Sequence, residues 1–301
     1  MGGLLARLAA RTSRKHGTKV IYTAHGFHFC KGAPLINWLI YYPIEKVMSR
    51  FTDCLITINQ EDYQRAINRG FKAGMIKHVH GVGVNTEQFK PVTNKEKYEL
   101  KEKHGFKPDD FLMFYAAEFN HNKNQKLLIE ALAFIKEETP NAKLLLAGEG
   151  PLLETCRDLA KTLDVKEMVD FLGFRKDIGE LLNMCDIAVA SSLREGLPVN
   201  IMEAMACGLP VVASDNRGHN ELIKDSDNGF QIPKNNMIDF GNKLIELYQS
   251  KDLCKKMGIE SEKRIKIFSL DQVGLELVKI YTSYMLEEMN EAKSKYNRAY
   301  I

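Results

Sequence analysis

The sequence predicts an α/β protein that is built from two doubly wound parallel sheets. Short apolar runs alternate with segments of helical length along the whole chain, as expected for repeated strand–helix–strand units. These runs are apolar throughout rather than alternating, as in strands that are buried on both faces of a parallel sheet. The 301 residues are enough for two domains, and 45% hydrophobic and 27% charged residues are ordinary for a globular protein.

The first domain is predicted to span residues 1–91 and to hold only three strands, so it is expected to be incomplete as a doubly wound domain. Its strands are expected at 19–23, 54–58 and 75–79, and its helices at 1–17, 35–50 and 60–69. Gly17 is typical of a helix end, and Pro43 is expected to kink or split the second helix. A connector from His80 to Pro91 leads to the next domain.

The second domain is predicted at residues 92–270 and has a full set of strands. Its strands are expected at 112–117, 143–147, 169–172, 186–190 and 211–214, with helices at 125–138, 152–163, around 178, 236–250 and 252–267. Residues 271–301 are expected to form a C-terminal helix that crosses back to the first domain, followed by a polar tail.

Composition narrows the class of protein. The six cysteines show no C-x-x-C spacing, which favours free thiols over a zinc site or a redox pair. No apolar stretch reaches about 18 residues, so no membrane-spanning helix is predicted. The net charge of +3 conceals a strongly basic N-terminal third. This charge indicates an anionic partner such as a lipid surface or a phosphorylated acceptor, with a solvated basic surface as the alternative. The aromatic residues of segment 35–50, with Lys31, Lys46 and Arg50, make this segment the best candidate for a membrane surface, with core packing as the alternative use of its apolar side chains.

The most informative stretch runs from Ser191 to Ser214. It follows a buried strand, and a short helix is expected to begin at Pro198 and to end at Gly208. In open α/β sheets, a helix that starts at the carboxyl end of a parallel strand binds anions. Glu195 precedes this helix and Glu203 lies within it. Carboxylates beside an anion site are suited to binding hydroxyl groups next to a phosphate, which indicates a sugar nucleotide.

Taken together, these residues resemble the retaining glycosyltransferases of family four, which adopt the GT-B fold of two facing Rossmann-like domains. The segment from Glu195 to Glu203, with the downstream Gly-x-Pro-Val-Val, resembles the E-x7-E signature of that family. Supporting motifs are Thr23–Gly26, Gly81–Asn85, Ala147–Pro151 and Leu172–Phe174. The resemblance covers essentially the whole chain and is strongest to bacterial capsule, exopolysaccharide and lipid-linked oligosaccharide enzymes.

The resemblance implies roles for individual residues. Glu203 would accept hydrogen bonds from both ribose hydroxyls, and Glu195 would face the hydroxyls of the donor sugar. Lys123 would stabilise the leaving diphosphate, and His25 would lie near the reacting sugar, although both could instead be solvated side chains. The other implied donor contacts are Gly148, the backbone N–H groups of Gly196, Leu197 and Val199 at the diphosphate, and the backbones of Phe174 and Arg175 at the base.

The activity that the resemblance implies is transfer of a hexose or N-acetylhexosamine, with retention, from a nucleotide sugar that is expected to be UDP-linked. The acceptor would be a saccharide or a lipid-linked sugar in surface polysaccharide synthesis. No metal, no cofactor and no nucleic-acid partner is predicted, and the expected location is cytoplasmic and peripheral on the inner membrane face. Two alternatives stay open: a nucleotide-sugar epimerase of the same fold, and an inactive nucleotide-sugar-binding fragment.

Two features depart from the family pattern. The family often has Gly-Arg ahead of the lysine, whereas Ala117 and Glu118 stand here, so one cation is lost and Glu118 would repel a diphosphate unless it points away or pairs. The first domain also lacks the usual opening strands, a segment of roughly 80–90 residues by comparison with whole domains of this type. A truncated or mis-started chain with weakened acceptor binding is therefore expected.

Overall fold

The computed structural model describes the backbone from Gly2 to Ala299 and the side chains as far as Leu286. Tyr300 and Ile301 of the predicted tail lie outside the described residues. The chain divides into two compact units, one formed by residues up to Gly83 together with those from Leu270 onward, and the other by Val84–Ser269. Each unit is built on a parallel sheet, so the predicted α/β class with two parallel sheets is confirmed.

The first unit contains a three-stranded sheet in the order β1-β2-β3. The strands are β1 (Ile21–Ala24), β2 (Cys54–Thr57) and β3 (Met75–His78). The helices that accompany them are α1 (Gly2–Ala9), α2 (Arg11–Arg14), α3 (Leu35–Met48) and α4 (Gln60–Asn68). An aromatic cluster that includes Phe27, Phe29 and Phe71 packs on this sheet and forms the core of the unit.

Two predictions about the first unit need correction. Helix α3 continues through Pro43, so the helix is not split there, because the turns on both sides of the proline keep their own hydrogen bonds; the kink stays a prediction. The predicted helix at 1–17 forms two pieces, α1 and α2. Gly17 follows them with φ +102°, a conformation that favours glycine.

The second unit contains a six-stranded parallel sheet in the order β6-β5-β4-β7-β8-β9. The strands are β4 (Phe111–Ala116), β5 (Ala142–Ala147), β6 (Val169–Gly173), β7 (Ile187–Ala190), β8 (Val211–Ser214) and β9 (Gly229–Ile232). The helices are α5 (Asn94–Lys103), α6 (Gln125–Ile135), α7 (Leu153–Thr162), α8 (Ile178–Met184), α9 (Val199–Ala206), α10 (Arg217–Leu222), α11 (Met237–Gln249) and α12 (Lys251–Ile265). Strands β7 and β8 are buried along their whole length, as their apolar sequences predict.

Helix α13 (Leu270–Ala299) ends the described chain and belongs to the first unit. Within Gly2–Ala299, no helix combines the length and the apolar character that crossing a membrane requires.

Three elements of the second unit are absent from the sequence prediction: α5, α10 and β9. The local signals of the two helices, α5 and α10, are capping residues. Thr93 and Glu96 form a capping box at the start of α5, and Asn216 caps α10 by accepting hydrogen bonds from two N–H groups. Helix α9 begins at Val199 rather than at Pro198, which has ψ 118° and serves as the N-cap.

Candidate functional site

The carboxyl ends of three adjacent strands bring the predicted donor-binding residues together. Strands β4, β7 and β8 are neighbours in the sheet and run parallel. The loops that follow them therefore leave the same edge, which is where open α/β sheets bind their ligands. Lys123 follows β4, Glu195 follows β7, and Asn216 follows β8.

An ion pair joins two of these loops. Lys123 Nζ lies 2.5 Å from Glu195 Oε1, and the two side chains are 25% and 14% exposed. The third loop supports the pair, because Arg217 Nε donates to the Glu195 carbonyl oxygen at 3.0 Å. A Cβ added at Gly218 would lie 2.7 Å from Glu195 Cβ, so the close packing of these loops depends on glycine there. The cation and the carboxylate predicted to meet the donor therefore lie in direct contact.

The backbone around Lys123 is tied to the loop after β7. Ser191 Oγ donates to the Lys123 carbonyl oxygen at 2.8 Å. Leu193 N donates to the Asn122 carbonyl oxygen at 2.8 Å, and Asn122 Nδ2 donates to the Arg194 carbonyl oxygen at 2.9 Å. These bonds hold the backbone of Lys123 in place, so the position of its side chain does not depend on the ion pair alone.

A buried polar network lies beneath this pair. The Tyr115 hydroxyl and Ser192 Oγ are 2.7 Å apart, and Asn216 Nδ2 donates to the Ser192 carbonyl oxygen at 2.9 Å. His219 Nδ1 lies 2.6 Å from the Ser214 carbonyl oxygen, to which it donates. Burial lowers the pKa of His219 to about 4, so its ring is neutral at pH 7. The network joins the ends of β4, β7 and β8 without adding charge.

Glu203 lies in a different environment from Glu195. It is half-buried on α9, and burial raises the pKa of its carboxyl group to about 7. Among the described residues, no hydrogen bond or ion pair engages its carboxylate. A ligand that donates hydrogen bonds to Glu203 would favour the charged form, so ligand binding and ionisation are coupled at this residue.

The start of α9 offers backbone donors. Pro198 supplies no side-chain cap, and the N–H groups of Gly196, Leu197 and Val199 donate to no other group in the described part of the chain. Asn200 anchors this turn by donating from Nδ2 to the Ala116 carbonyl oxygen at 2.9 Å. The start of the helix is therefore held against the end of β4 with its first donors available to an anion.

Gly148 lies where two loops approach through their backbones. It has φ +139°, and a Cβ there would be 2.1 Å from the Ala117 carbonyl oxygen. Any side chain at this position would displace the segment that leads to Lys123. Glu118, in the same segment, accepts a hydrogen bond from Asn120 Nδ2 at 2.9 Å. It pairs with a neutral amide, so its negative charge is not balanced by that contact.

Phe174 and Arg175 follow β6, at the edge of the sheet. The Phe174 side chain is 69% exposed. Arg175 forms a two-pronged ion pair with Asp177, which raises the pKa of the guanidinium group. The Phe174 ring is thus accessible to solvent, and the Arg175 side chain is paired with Asp177. The predicted contact of both residues with the base is made by their backbone groups.

His25 belongs to the first unit and follows β1. Its side chain is exposed, and no other described residue forms a hydrogen bond with its ring. The following loop is fixed, because Phe27 N donates to the buried Asp62 carboxylate at 2.8 Å and the rings of Phe27 and Phe29 stack with centroids 4.7 Å apart. The structure therefore fixes the backbone next to His25 and leaves its imidazole open to solvent.

One cluster of possible metal ligands was not predicted from the sequence, because His104 is more than 70 residues away from the other two members. His104, Asp177 and Glu180 place their ligand atoms within 4.8 Å of one another. Glu180 Oε1 already contacts Lys103 Nζ at 2.6 Å and His104 Nε2 at 2.7 Å, and Asp177 pairs with Arg175. The cations that surround these carboxylates make the cluster an ion-pair network.

Four residues of the site were not singled out from the sequence: Asn122, Asn200, Asn216 and Arg217. Each bonds to a backbone carbonyl oxygen of another loop or strand end. A usable signal is their position, since Asn122 and Asn216 lie in loops that follow buried apolar strands, and Arg217 and Asn200 lie in the first turns of α10 and α9. Polar residues at these places line the edge where doubly wound sheets bind ligands.

Comparison with known proteins identifies related sequences and folds. The family described as "Glycosyl transferases group 1" matches residues 96–264. A Bacillus subtilis (strain 168) protein named "Putative glycosyltransferase EpsD" is 52% identical over 285 residues, covering 95% of this chain and 75% of its own length. The Escherichia coli "UDP-Gal:alpha-D-GlcNAc-diphosphoundecaprenol alpha-1,3-galactosyltransferase" is 32% identical over 256 residues, covering 83% of this chain and 65% of that protein.

Among solved structures, Anabaena Alr3699/HepE in complex with UDP and glucose superposes with a TM-score of 0.81 at 21% identity. The match covers 93% of this chain and 75% of HepE. Sucrose-phosphate synthase from Thermosynechococcus elongatus superposes with a TM-score of 0.79 at 20% identity, covering 94% of this chain and 72% of the synthase. At these identities the likeness concerns the fold, and it agrees with the predicted GT-B architecture.

Proposed function

Because this chain belongs to the glycosyl transferases group 1 family, we propose that it transfers a hexose or N-acetylhexosamine from a UDP-linked sugar to an acceptor hydroxyl, with retention of configuration. The observation that carries this proposal is the Lys123–Glu195 pair, which stands beside the open helix start at α9. A cation, a helix N-terminus and two carboxylates at one sheet edge suit a ligand that combines a diphosphate with hydroxyl groups. The names of the relatives, which describe transferases, favour transfer over the epimerase alternative.

Each part of the donor then has a partner in the second unit. The diphosphate receives hydrogen bonds from the N–H groups of Gly196, Leu197 and Val199, with Lys123 as the cation. Glu203 accepts both ribose hydroxyls, and Glu195 accepts hydroxyls of the sugar. The turn at Gly148 lets the backbone approach the donor closely, and the backbones of Phe174 and Arg175 contact the base.

The transfer step requires little chemistry from the protein. The acceptor hydroxyl attacks the anomeric carbon on the face from which the diphosphate leaves, and a phosphate oxygen of the donor takes the acceptor proton. Negative charge grows on the diphosphate as the glycosidic bond breaks, and Lys123 stabilises it. Glu195 neutralises Lys123 before the donor binds and keeps the ammonium group positioned. The protein thus contributes orientation and electrostatic stabilisation of the leaving group.

The acceptor in this proposal is a saccharide or a lipid-linked sugar used in surface polysaccharide synthesis, and His25 lies near the reacting sugar. Peripheral attachment to an anionic membrane on the cytoplasmic side is part of the proposal. The supporting observation is the apolar surface of α3, where Leu35 and Leu39 are 81% and 73% exposed. Lys31 precedes this helix and Arg50 follows it, so cations stand at both ends of the apolar surface.

A thermal-shift assay with UDP-, GDP- and ADP-sugars tests donor binding. We expect UDP-sugars to raise Tm and the other two classes to have little effect. The stabilising sugar, labelled with ¹⁴C, is then incubated with membrane extract. Label in a lipid-linked or saccharide product supports transfer, whereas conversion of the free nucleotide sugar without acceptor would identify an epimerase. Binding without any turnover would reduce the function to nucleotide-sugar binding.

A further inference from the structure

A second basic site lies in the first unit, in a cavity of about 400 Å³. Its charged lining residues are Arg11, Arg14, Lys15, Lys19, Arg50 and Asp53. The remaining lining residues carry no charge, so the lining contains five cationic residues and one carboxylate. A cavity of this size falls in the range of small-ligand sites.

The carboxylate in this cavity is already satisfied. Arg14 forms two hydrogen bonds to Asp53, at 2.9 Å from Nε and 2.6 Å from Nη2, and Val20 N donates to the same carboxylate at 2.7 Å. Burial by itself would raise the pKa of Asp53, but these bonds hold it below its usual value. Asp53 is therefore ionised at neutral pH, cancels the charge of Arg14 and fixes the orientation of its guanidinium group.

The other cations of the cavity are not balanced in this way. Lys15, Lys19 and Arg50 form no ion pair with any carboxylate among the described side chains. The Arg11 guanidinium lies over the ring of Phe51, with its carbon 4.8 Å from the ring centroid, so an aromatic face orients it. Like charges that converge on one cavity repel one another, and a bound anion would relieve that repulsion.

The location separates this cavity from the proposed reaction site. Lys19 comes two residues before β1, and Asp53 comes directly before β2. Both therefore stand at the amino ends of their strands, whereas His25 follows the carboxyl end of β1. Open α/β sheets place their reaction sites at the carboxyl edge, so a ligand at the amino edge would serve another purpose.

We propose that this amino-edge cavity binds a phosphate-bearing anion, namely a phosphate monoester, a phosphodiester or a diphosphate. The Arg14 guanidinium is committed to the protein, since Nε and Nη2 bind Asp53 and Nη1 donates to the Arg50 carbonyl oxygen at 3.3 Å, so it orders the wall of the cavity. The charge for the anion comes from Lys15, Lys19 and Arg50, which line the cavity without a carboxylate partner among the described side chains. The cavity is larger than a single phosphate, which leaves room for the group that the phosphate esterifies. The same chemistry is offered by an anionic lipid headgroup and by a soluble phosphorylated compound.

Inorganic pyrophosphate is the probe for the soluble source. It is titrated calorimetrically into the whole protein in excess UDP, which occupies the proposed donor site, and in parallel into a Lys123→Ala background, which weakens that site. Lys19→Ala with Arg50→Ala should weaken binding at least about tenfold, because two charge-assisted contacts are lost. Lys72→Ala with Lys77→Ala removes the same charge from exposed positions of the same unit and should leave the affinity unchanged.

Sedimentation with phosphatidylglycerol vesicles, and with phosphatidylcholine vesicles as the neutral reference, tests the lipid source. Loss of binding to the anionic vesicles in the Lys19/Arg50 variant but not in the Lys72/Lys77 variant assigns the cavity to a headgroup. Loss that is confined to pyrophosphate assigns it to a soluble ligand. If both double variants bind both probes as the wild type does, or if the wild type binds neither, the proposal is wrong. None of these outcomes depends on whether the chain transfers sugar.

Discussion

The carboxyl edges of the two sheets are organised differently. In the second unit the side chains of Lys123, Glu195 and Asn216 are themselves bonded, Lys123 to Glu195 and Asn216 to the loop after β7. In the first unit the fold bonds the backbone instead, through the Phe27 N–H and the buried Asp62 carboxylate. The His25 ring next to that contact is exposed.

This difference separates two ways of preparing a site. Side chains that are positioned before the ligand arrives need no reorganisation when charge develops, which is the condition for strong electrostatic stabilisation. An exposed ring on a fixed backbone can take its final rotamer only when a ligand supplies a partner. Substitutions in the second unit should therefore alter donor affinity and turnover, whereas a substitution at His25 should alter turnover alone.

The largest effect is expected for Lys123→Ala. Removing the cation that stabilises the leaving diphosphate should lower kcat by roughly 100- to 1,000-fold, in the range measured for single stabilising donors in other enzymes. Lys126→Ala is the matched control, because it removes an exposed lysine one turn away on α6 and should retain activity. Lys123→Arg should restore part of the rate. Equal rates for Lys123→Ala and Lys126→Ala would exclude a catalytic role for Lys123.

Glu203→Gln should give the next largest effect, on binding rather than on rate. The amide retains one acceptor but loses the charge and the second acceptor, so UDP affinity should fall roughly 10- to 100-fold. Titration calorimetry with UDP measures this change. The control for the loss of charge is Glu138→Gln, which replaces an exposed carboxylate. An unchanged affinity in Glu203→Gln would remove the ribose role from this residue.

The raised pKa of Glu203 predicts that the affinity for UDP depends on pH in the wild type and less so in Glu203→Gln. With a pKa of about 7, Glu203 changes from mostly protonated to mostly ionised between pH 6 and pH 8, and only the ionised form is the carboxylate that we propose to accept the ribose hydroxyls. The affinity of the wild type for UDP should therefore rise by up to about tenfold over this interval, relative to Glu203→Gln. The difference between the two proteins cancels the titration of the UDP phosphates. Parallel pH profiles would mean that Glu203 is already ionised at pH 6.

The stability of the protein without ligand should fall as pH rises, whereas its affinity for UDP should rise. Because the folded state holds the Glu203 proton more tightly than the unfolded state does, this group lowers stability as pH rises toward 7. Glu203→Gln should remove this contribution to the decrease of stability with pH. Measuring Tm of both proteins at several pH values up to 8 tests this. Greater stability at pH 8 in the variant that binds UDP less well would show that Glu203 is retained for binding at a cost in stability.

The sheets and the donor motif are predictable from the sequence because their signals are local. A run such as Ile187–Ala190 indicates a buried strand by itself, and Glu195 and Glu203 share one short segment. Strand β9 was not predicted, because Gly229–Ile232 follows a turn and is too short to show a period. Helix α5 was not predicted either, since it is mostly charged and its local signal is a capping box.

Contacts between distant parts of the chain account for the rest. Lys101 on α5 is 2% exposed because Asp186 at the start of β7 and the Asp110 carbonyl oxygen bind its ammonium group at 3.0 and 2.5 Å. Nothing in the sequence near Lys101 indicates burial of a lysine. The Lys123–Glu195 pair is likewise joined across the sheet, so the resemblance assigned both residues to the site without indicating their contact. Contacts of this kind depend on the order of the strands in the sheet, and the periodicity of the sequence does not predict that order.

The smallest effect is expected for His25→Ala, and it tests the comparison from the side of the first unit. Loss of one hydrogen bond to the reacting sugar should lower kcat about fivefold, while the Kd for UDP stays unchanged. His28→Ala is the matched control, since His28 is also exposed and its ring lies against Tyr41 with centroids 4.6 Å apart. If His25→Ala weakened UDP binding as well, the His25 ring would be part of donor recognition. The division between a donor-binding second unit and a first unit that acts only in turnover would then be wrong.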